Sequence, residues 1–504
     1  MTPHATEHGG ELTRAARGSL VTLIGTAGSA VLGFAFNIVL ARTLGAAGAG
    51  VVLQAVAVFT IILGVARLGL DTTSVWLLPQ LRSTEPAKTR QATVALLVPA
   101  FVAPLAVSAA WYAVHFLFGW QLGLDAETVK SLNVAMAFLP AASVMMVALG
   151  GTRAFGGVLP YNAIGNVAVP GLRPGLVWMA SALGGGTAAA TLGWSAPWFV
   201  GAVLATVVLL RQVLKASARD PGSWRPEREI RERIRRFALP RVVASGLDQG
   251  IIWLDVVLVG ILVGSASAGV YGTVSRFVSA GALVATALRI VVAPRFSALL
   301  SEGKVAEVEK LYTATARWIL LLGSPAYVVL AVFAPTVLRW LGPGFAHGQA
   351  SMVVLCLGSI VVLAAGNVQS LLLMSGRSAA SAVNKAIVLA FNVGANLVLV
   401  PRFGIIGAAS AWAASMALDT TLAAWQVRRR VGVSVAVGSI SYAAGIVLVT
   451  VGLPAVAIAR LLGQGNAQLV LAILVGGVAL LGYAYLDRQR LDLTQFKLRV
   501  RQDR

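Results

Sequence analysis

Residues 19–77 read SLVTLIGTAGSAVLGFAFNIVLARTLGAAGAGVVLQAVAVFTIILGVARLGLDTTSVWL. Two apolar runs, 19–43 and 47–77, are separated by little more than the stretch LGAAGAG. Each is long enough to cross a bilayer as a helix, because about 20 residues at ~1.5 Å each span a hydrocarbon core ~30 Å thick. The polar first 18 residues are too long for the n-region of a signal peptide, so the sequence predicts a retained helix pair. Within the second run, Arg67 and Asp71 stand four residues apart, where charge is costly.

The same pattern continues along the chain. Further apolar runs fall at 91–118, 129–153, 159–183, 193–214, 238–264, 268–293, 311–340, 347–375, 379–400, 404–427, 434–458 and 466–486, making fourteen in all. The fifth and tenth are the weakest, interrupted by glycine and polar residues. Of 504 residues, 58% are hydrophobic and 12% charged, more apolar surface than a soluble domain can bury. The short alternating segments of a β-barrel are not seen. The fold class predicted is an all-α polytopic membrane protein.

The net charge of +21 does not point to nucleic acid, because the basic residues alternate between connections. One set holds Arg82, Lys88, Arg90, the run EREIRERIRRF (227–237), Lys304, Lys310, Arg428–Arg430 and the tail after 487. The other set holds Arg42, Lys130, Arg339, Arg402 and Arg460. By the positive-inside rule both termini are cytoplasmic. Trp76, Trp120, Trp194, Trp198, Trp340 and Trp425 read as interfacial anchors near span ends. The basic loops also suit anionic headgroups. The segment 216–237, with Pro221 and Pro226, reads as a solvated linker or a short amphipathic surface helix.

AGVVLQAVA from Ala49 and AGVYGTVSR from Ala268 share a pattern, each after an apolar run of similar length. Both copies begin and end inside, which makes a parallel repeat, with the substrate site expected between lobes. The organisation predicted is a cytoplasmic segment 1–18, an N-lobe 19–215, a basic linker 216–237, a C-lobe 238–430, two further helices in 431–487 and a basic tail 488–504. That is two pseudo-symmetric six-helix lobes plus two C-terminal helices.

Four stretches carry a family resemblance. They are RGSLVTLIGTAGSAVLGFAFNIVLARTLGAAGAG (17–50), WLDVVLVGILVGSASAGVYGTVSRFV (253–278), APRFSALLSEGKVAEVEKLYTATARWILLLGSPAYVVLAVFAPTVLRWLGPGFA (293–346) and LLLMSGRSAASAVNKAIVLAFNVGANLVLVPRFGIIGAASAWAAS (371–415). In order and spacing the chain resembles Wzx-type polysaccharide flippases of the multidrug/oligosaccharidyl-lipid/polysaccharide exporter superfamily. The resemblance implies fourteen helices in two lobes, alternating access in the cytoplasmic membrane, and a polyprenyl-diphosphate-linked saccharide as substrate. One departure stands out. Relatives often carry an acid before Leu-Gly in the second span, where this chain has Arg67, with Asp71 following instead.

Seven ionisable residues fall well inside the runs: Arg67, Asp71, Arg173, Asp248, Asp255, Arg276 and Asp419. Such residues face a protein interior or a watery cavity. Asp248 lies roughly 15 Å into its span, near the midplane. Asp248 and Asp255 share a helix face; so do Asn162, Asn166 and Arg173, and so do Lys385, Asn392 and Asn396. A flippase for a diphosphate-linked sugar needs cations for the diphosphate and polar groups for hydroxyls. Arg173 and Arg276 are the candidate headgroup ligands, because the guanidinium fork matches phosphate oxygens. Asn162, Asn166, Asn392 and Asn396 are candidate sugar contacts. Asp248 or Asp255 would pair with the arginines at rest or titrate in a proton-coupled step. Structural ion pairs would produce a similar set of residues. Arg67 and Asp71 read as a local i,i+4 pair, or as the cytoplasmic entrance for an anionic headgroup.

The remaining features are bland. Cys356 sits alone in an apolar run, so no disulfide within the chain and no metal site is expected. LGGGT (183–187) lacks the Lys-Ser/Thr of a phosphate loop. No cofactor is expected, and active transport would draw on a H+ or Na+ gradient, the membrane potential or consumption of the product. The alternatives are a lipid-linked peptidoglycan precursor flippase, a drug/cation antiporter of the same superfamily, and a scaffold for a glycan assembly complex. A membrane glycosyltransferase or polymerase would want an acidic motif and a large outer loop, neither of which is seen. A polysaccharide polymerase or glycosyltransferases are the expected protein partners.

Overall fold

The computed structural model describes residues 4–118, 123–156, 158–218, 222–434 and 436–487, and among them it is helical without strands. The chain is a multi-pass membrane protein. Nine helices are long and apolar enough to cross a membrane among the described residues, up to ten if one bent pair counts as a span. The helices follow the apolar runs in order, and several runs are built from two pieces. Packing divides the chain into two compact units, Met1–Gly269 and Val270–Arg504.

The first unit opens with α1 (His4–Ala66), followed by α2 (Leu70–Thr84), α3 (Thr89–Phe118), α4 (Ala126–Met136) and α5 (Leu139–Ala154). It continues with α6 (Val158–Pro160), a π-helical turn over Tyr161–Ala168, α7 (Val169–Ala182), α8 (Thr187–Ala216) and α9 (Arg228–Val263). The boundary falls within α10 (Ser265–Ala280). α1 holds the first apolar run and most of the second, which α2 completes. It turns between them at Gly45, whose φ of 66° a side chain would strain. The core at one end is leucine-rich: Leu77, Leu78 and Leu81 of α2 pack with Leu149 of α5, Leu209 of α8 and Ile234 of α9.

The two repeat copies meet at equivalent glycines. A Cβ on Gly50 would stand 1.7 Å from the Ser265 carbonyl oxygen, and one on Gly269 would stand 2.0 Å from that of Ala46. Each glycine therefore faces the backbone four residues before the other. Only residues without Cβ permit such an approach, the small-residue mode of membrane helix packing. Gln54 sits beside this crossing, donating to the Ser265 hydroxyl at 3.0 Å, and Ser265 in turn donates to Asp125. Asp125 also caps α4, accepting from the Thr128 N–H at 2.7 Å. Burial acts to raise the Asp125 pKa, but the bonds from Ser265 and Thr128 outweigh it and hold the carboxyl below its ordinary range.

The basic segment is amphipathic, as one of the two sequence readings had it, but it is not a separate surface helix. From Arg228 it is the first part of α9, continuous with the seventh span, and Ile230, Ile234 and Ala238 bury one face in the core. The strap before it is docked. A Cβ on Gly222 would lie 2.1 Å from the Ala87 carbonyl oxygen, and Gln91 donates to Glu227 at 3.0 Å. Lys88 pairs with Glu229 at 3.2 Å. The isoleucines recur at helical spacing beneath the charges, so a charge count alone hides an amphipathic helix.

The second unit runs through α11 (Leu283–Ser301), α12 (Val305–Val332), α13 (Ala334–Arg339), α14 (Gln349–Ala364), α15 (Val368–Met374) and α16 (Ser378–Val431). It closes with α17 (Val437–Val447), a π-helical turn over Leu448–Gly452, α18 (Leu453–Leu461) and α19 (Asn466–Leu486). α16 holds two apolar runs and turns at Gly404, φ 56°, as α1 does at Gly45. Phe296, Tyr312, Leu371 and Val427 belong to one buried apolar cluster of this unit.

Candidate functional site

The weak fifth run is a distorted helix. Tyr161–Ala168 is π-helical, and Pro170 and Pro174 remove two amide donors just after it. Asn162 is buried here. Its Nδ2 donates to the Val158 carbonyl at 2.9 Å and reaches the Thr22 hydroxyl at 3.5 Å, while Gly25 of α1 leaves room for its side chain. Asn166 donates to Asn162 Oδ1 at 2.7 Å. The two asparagines thus form one chained contact onto α1.

Arg173, further along the same helix, lies against two tryptophans of α8. Its guanidinium is 4.6 Å from the Trp194 ring centroid and 4.9 Å from that of Trp198. Its Nε donates to the Trp194 carbonyl at 3.2 Å. Gly193 permits this, because its Cα approaches the Leu176 and Val177 backbone to where a Cβ would stand 3.0–3.1 Å away. Phe59 of α1 braces Trp194 edge-on at 5.3 Å. One Nη of Arg173 and the Trp198 Nε1 are buried without a hydrogen-bond partner. No salt bridge among the described residues includes Arg173.

Magnitudes explain why the cage is needed. An arginine at the centre of a spanning helix costs ~2.5–3.5 kcal/mol on insertion scales. A cation–π contact returns about 0.5–2 kcal/mol, and two are present. The rings offset most of the cost while leaving the positive charge in place. Trp194 and Trp198 were expected at an interface. Trp194 is instead only 5% exposed, and the pair serves as the wall of this cage. The other tryptophans differ among themselves: Trp76 stacks on Phe237 at 4.3 Å, Trp340 donates to Asn466 at 2.9 Å, Trp425 is half exposed beside Arg429, and Trp120 lies outside the described residues.

Arg67 and Asp71 are held differently. The second run breaks between α1 and α2, where Leu68 and Gly69 take left-handed φ values of 54° and 65°. The i,i+4 reading on one unbroken helix is therefore corrected. The break is a single turn, so the pair still closes, Nη1 to Oδ2 at 3.2 Å. Arg67 also touches Met146 Sδ at 3.4 Å. Asp71 occupies the first turn of α2, where the helix dipole favours a carboxylate.

The other predicted residues divide between the units. Asp248 and Asp255 lie on α9, Asp255 fully buried, and Arg276 lies on α10. All three take part in interactions within the chain. Asn392 and Asn396 are buried on α16, where Asn396 donates to the Asn392 carbonyl at 2.9 Å. The reasoning from sequence missed two amide groups. Asn384 and Gln426 exchange hydrogen bonds at 3.0 and 2.8 Å, tying the two halves of α16. Asn367, 1% exposed, sits in the break between α14 and α15 with neither side-chain polar atom partnered. The signal for Asn367 was the weakness of the tenth run itself.

With this geometry in view, comparison with known proteins is informative. The family model described as "Polysaccharide biosynthesis protein" matches residues 15–300. The chain is similar to the probable low-salt glycan biosynthesis flippase Agl15 of Haloferax volcanii, 29% identical over 183 residues, covering 34% of this chain and 36% of that protein. It is also similar to the probable flippase AglR of the same organism, 27% identical over 176 residues, covering 34% and 37%. The chain thus spans little more than a third of the length of these curated relatives. Among solved structures it resembles the lipid II flippase MurJ in an inward closed conformation, with TM-score 0.72, 14% identity, and coverage of 94% of this chain and 99% of that one. It also resembles an inward-facing multidrug resistance MATE family transporter of the MOP superfamily, with TM-score 0.68, 16% identity, and coverage of 80% and 94%. At these identities the likeness shows a shared fold.

Proposed function

Because the chain belongs to the polysaccharide biosynthesis protein family, we propose that it is a flippase of the plasma membrane rather than an enzyme. It moves polyprenyl-diphosphate-linked oligosaccharide from the cytoplasmic to the outer leaflet by alternating access, for surface polysaccharide assembly. The flippase names of both Haloferax relatives support this reading. The observation that carries it is Arg173: a half-buried cation held between two tryptophans, with one buried Nη and the neighbouring Trp198 Nε1 both lacking an acceptor. A diphosphate supplies acceptors and opposite charge together.

In this proposal Arg173 of the first unit is a cation for the diphosphate and Asn166 meets sugar hydroxyls; in the second unit Arg276 is a further cation for diphosphate, and Asn392 and Asn396 are polar groups for hydroxyls. Asn162 positions Asn166 through their hydrogen bond. Asp248 or Asp255 titrates in a proton-coupled step. A H+ or Na+ gradient or the membrane potential drives the cycle, and a polymerase or glycosyltransferase takes the product.

The test is a deletion strain from which polyprenyl-linked glycans are extracted. The proposal expects a complete repeat unit to accumulate and surface polysaccharide to be lost, with rescue by the wild-type gene and none by Arg173→Ala. Accumulation of lipid-linked peptidoglycan precursor instead would replace this substrate with that one. Unchanged lipid-linked pools would overturn the proposal.

A further inference from the structure

The cytoplasmic part of α9 has an arginine face turned away from the core, on which Arg231 donates to the Pro226 carbonyl at 2.9 Å. Ile230, Ile234 and Ala238 point into the core. Arg228, Arg231, Arg235 and Arg236 are exposed on the other side. At ~100° per residue these four positions fall within an arc of roughly 140°. Positions 239 and 243 fall in the same arc, and there Leu239 is 59% and Val243 66% exposed. One continuous helix face therefore passes from guanidinium groups to bare aliphatic side chains.

That transition places the ridge. Large aliphatic groups left exposed on a spanning helix face hydrocarbon, so the hydrocarbon boundary lies near Leu239. Arg235 and Arg236 stand about one turn, ~5 Å, outside it, and Arg228 and Arg231 one to two turns further. The headgroup layer is ~5–8 Å thick on each side. At ~1.5 Å per residue Arg235 and Arg236 thus stand at the depth of lipid phosphates, while Arg231 and Arg228, ~12 and ~16 Å out, carry the ridge into the water beyond that layer. Their acidic neighbours do not cancel them. Glu229 is engaged by Lys88 at 3.2 Å, and Glu232 alone bridges Arg235 and Arg236, at 3.1 and 2.9 Å.

We propose that this face of α9 is a docking ridge for the phosphates of anionic phospholipids in the cytoplasmic leaflet. The occupant is a bilayer phospholipid because the ridge runs in line with lipid-facing Leu239 and Val243 and outside the core of the first unit. Guanidinium forks engage phosphate oxygens in pairs, which an ammonium does not. The inference is independent of which saccharide is carried.

The test is thermal unfolding of the full-length protein in neutral detergent, with added phosphatidylglycerol or phosphatidylcholine. In the wild type, phosphatidylglycerol raises the midpoint by several degrees, an effect reduced by salt, and phosphatidylcholine does not. The variant R228Q/R231Q/R235Q/R236Q keeps its phosphatidylcholine midpoint and loses most of the phosphatidylglycerol shift. If the fourfold variant fails to fold, R235Q/R236Q, which changes only the two arginines at phosphate depth, is expected to lose most of the shift alone. An undiminished shift in the folded variant, or equal shifts from the two lipids in the wild type, overturns the proposal. A shift produced by farnesyl diphosphate and not by phosphatidylglycerol overturns it too, because the ridge would then select the carried lipid.

Discussion

Two arginines of the first unit sit within apolar runs, and the chain treats them in opposite ways. Arg67 has a carboxylate at 3.2 Å, at a break in its helix. Arg173 has no carboxylate; two indole rings hold it at 4.6 and 4.9 Å. A carboxylate cancels the charge locally and so removes the reason for an anion to approach. Aromatic faces stabilise the charge without cancelling it. The difference teaches that an intramembrane arginine is read by its partner. Arg67 is paired at a helix break, and Arg173 is, in the proposed function, the charge that meets a ligand.

The largest effect expected is on transport. Arg173→Ala, in a protein that still inserts and folds, should lower export of lipid-linked glycan about 10- to 100-fold, the loss of one hydrogen-bonded charge interaction of ~1.5–3 kcal/mol. Arg173→Lys should recover part of that, because an ammonium keeps charge and loses the fork.

The next effect is on stability. Asp71→Asn leaves Arg67 without its anion, and the unfolding free energy should fall by about 1–3 kcal/mol, read as a lower thermal midpoint in detergent. Smaller again is Trp198→Phe, which keeps a ring beside Arg173 and removes the unpartnered Nε1. Transport should drop by roughly threefold, less than 1 kcal/mol. The smallest is the double change Arg67→Met with Asp71→Leu. Replacing both partners of a buried pair with apolar groups is close to neutral, so stability should move by no more than about 1 kcal/mol and transport should persist. If that variant loses transport while Arg173→Ala keeps it, the two arginines have exchanged roles and the comparison fails.

Much of the fold was legible because hydrophobic length is a strong signal. The run at 19–43 and the run from 47 to Ala66 appear as the two halves of α1, and the LGAAGAG turn becomes Gly45. Breaks were less legible. ARLGL (66–70) lies inside an apolar run, and hydropathy does not register that Leu68 takes a left-handed φ. The basic segment concealed its isoleucines behind a charge count, and so the start of α9 read as a linker. For the site, Arg173 stood out as an ionisable residue in a run. Its cage did not, because Trp194 comes 21 residues later and tryptophan near a run's end suggests an interface. The repeat was visible as two similar strings. That Gly50 and Gly269 face each other across it required the packing.

The most direct test is binding of a short-chain polyprenyl diphosphate, such as farnesyl diphosphate, to purified protein by calorimetry. Wild type, Arg173→Gln and the Arg67→Met, Asp71→Leu double variant would be compared at one ionic strength. Availability of the caged charge predicts that Arg173→Gln weakens binding about 10- to 100-fold while the double variant matches wild type. Undiminished binding by Arg173→Gln, with binding lost in the double variant, would contradict it.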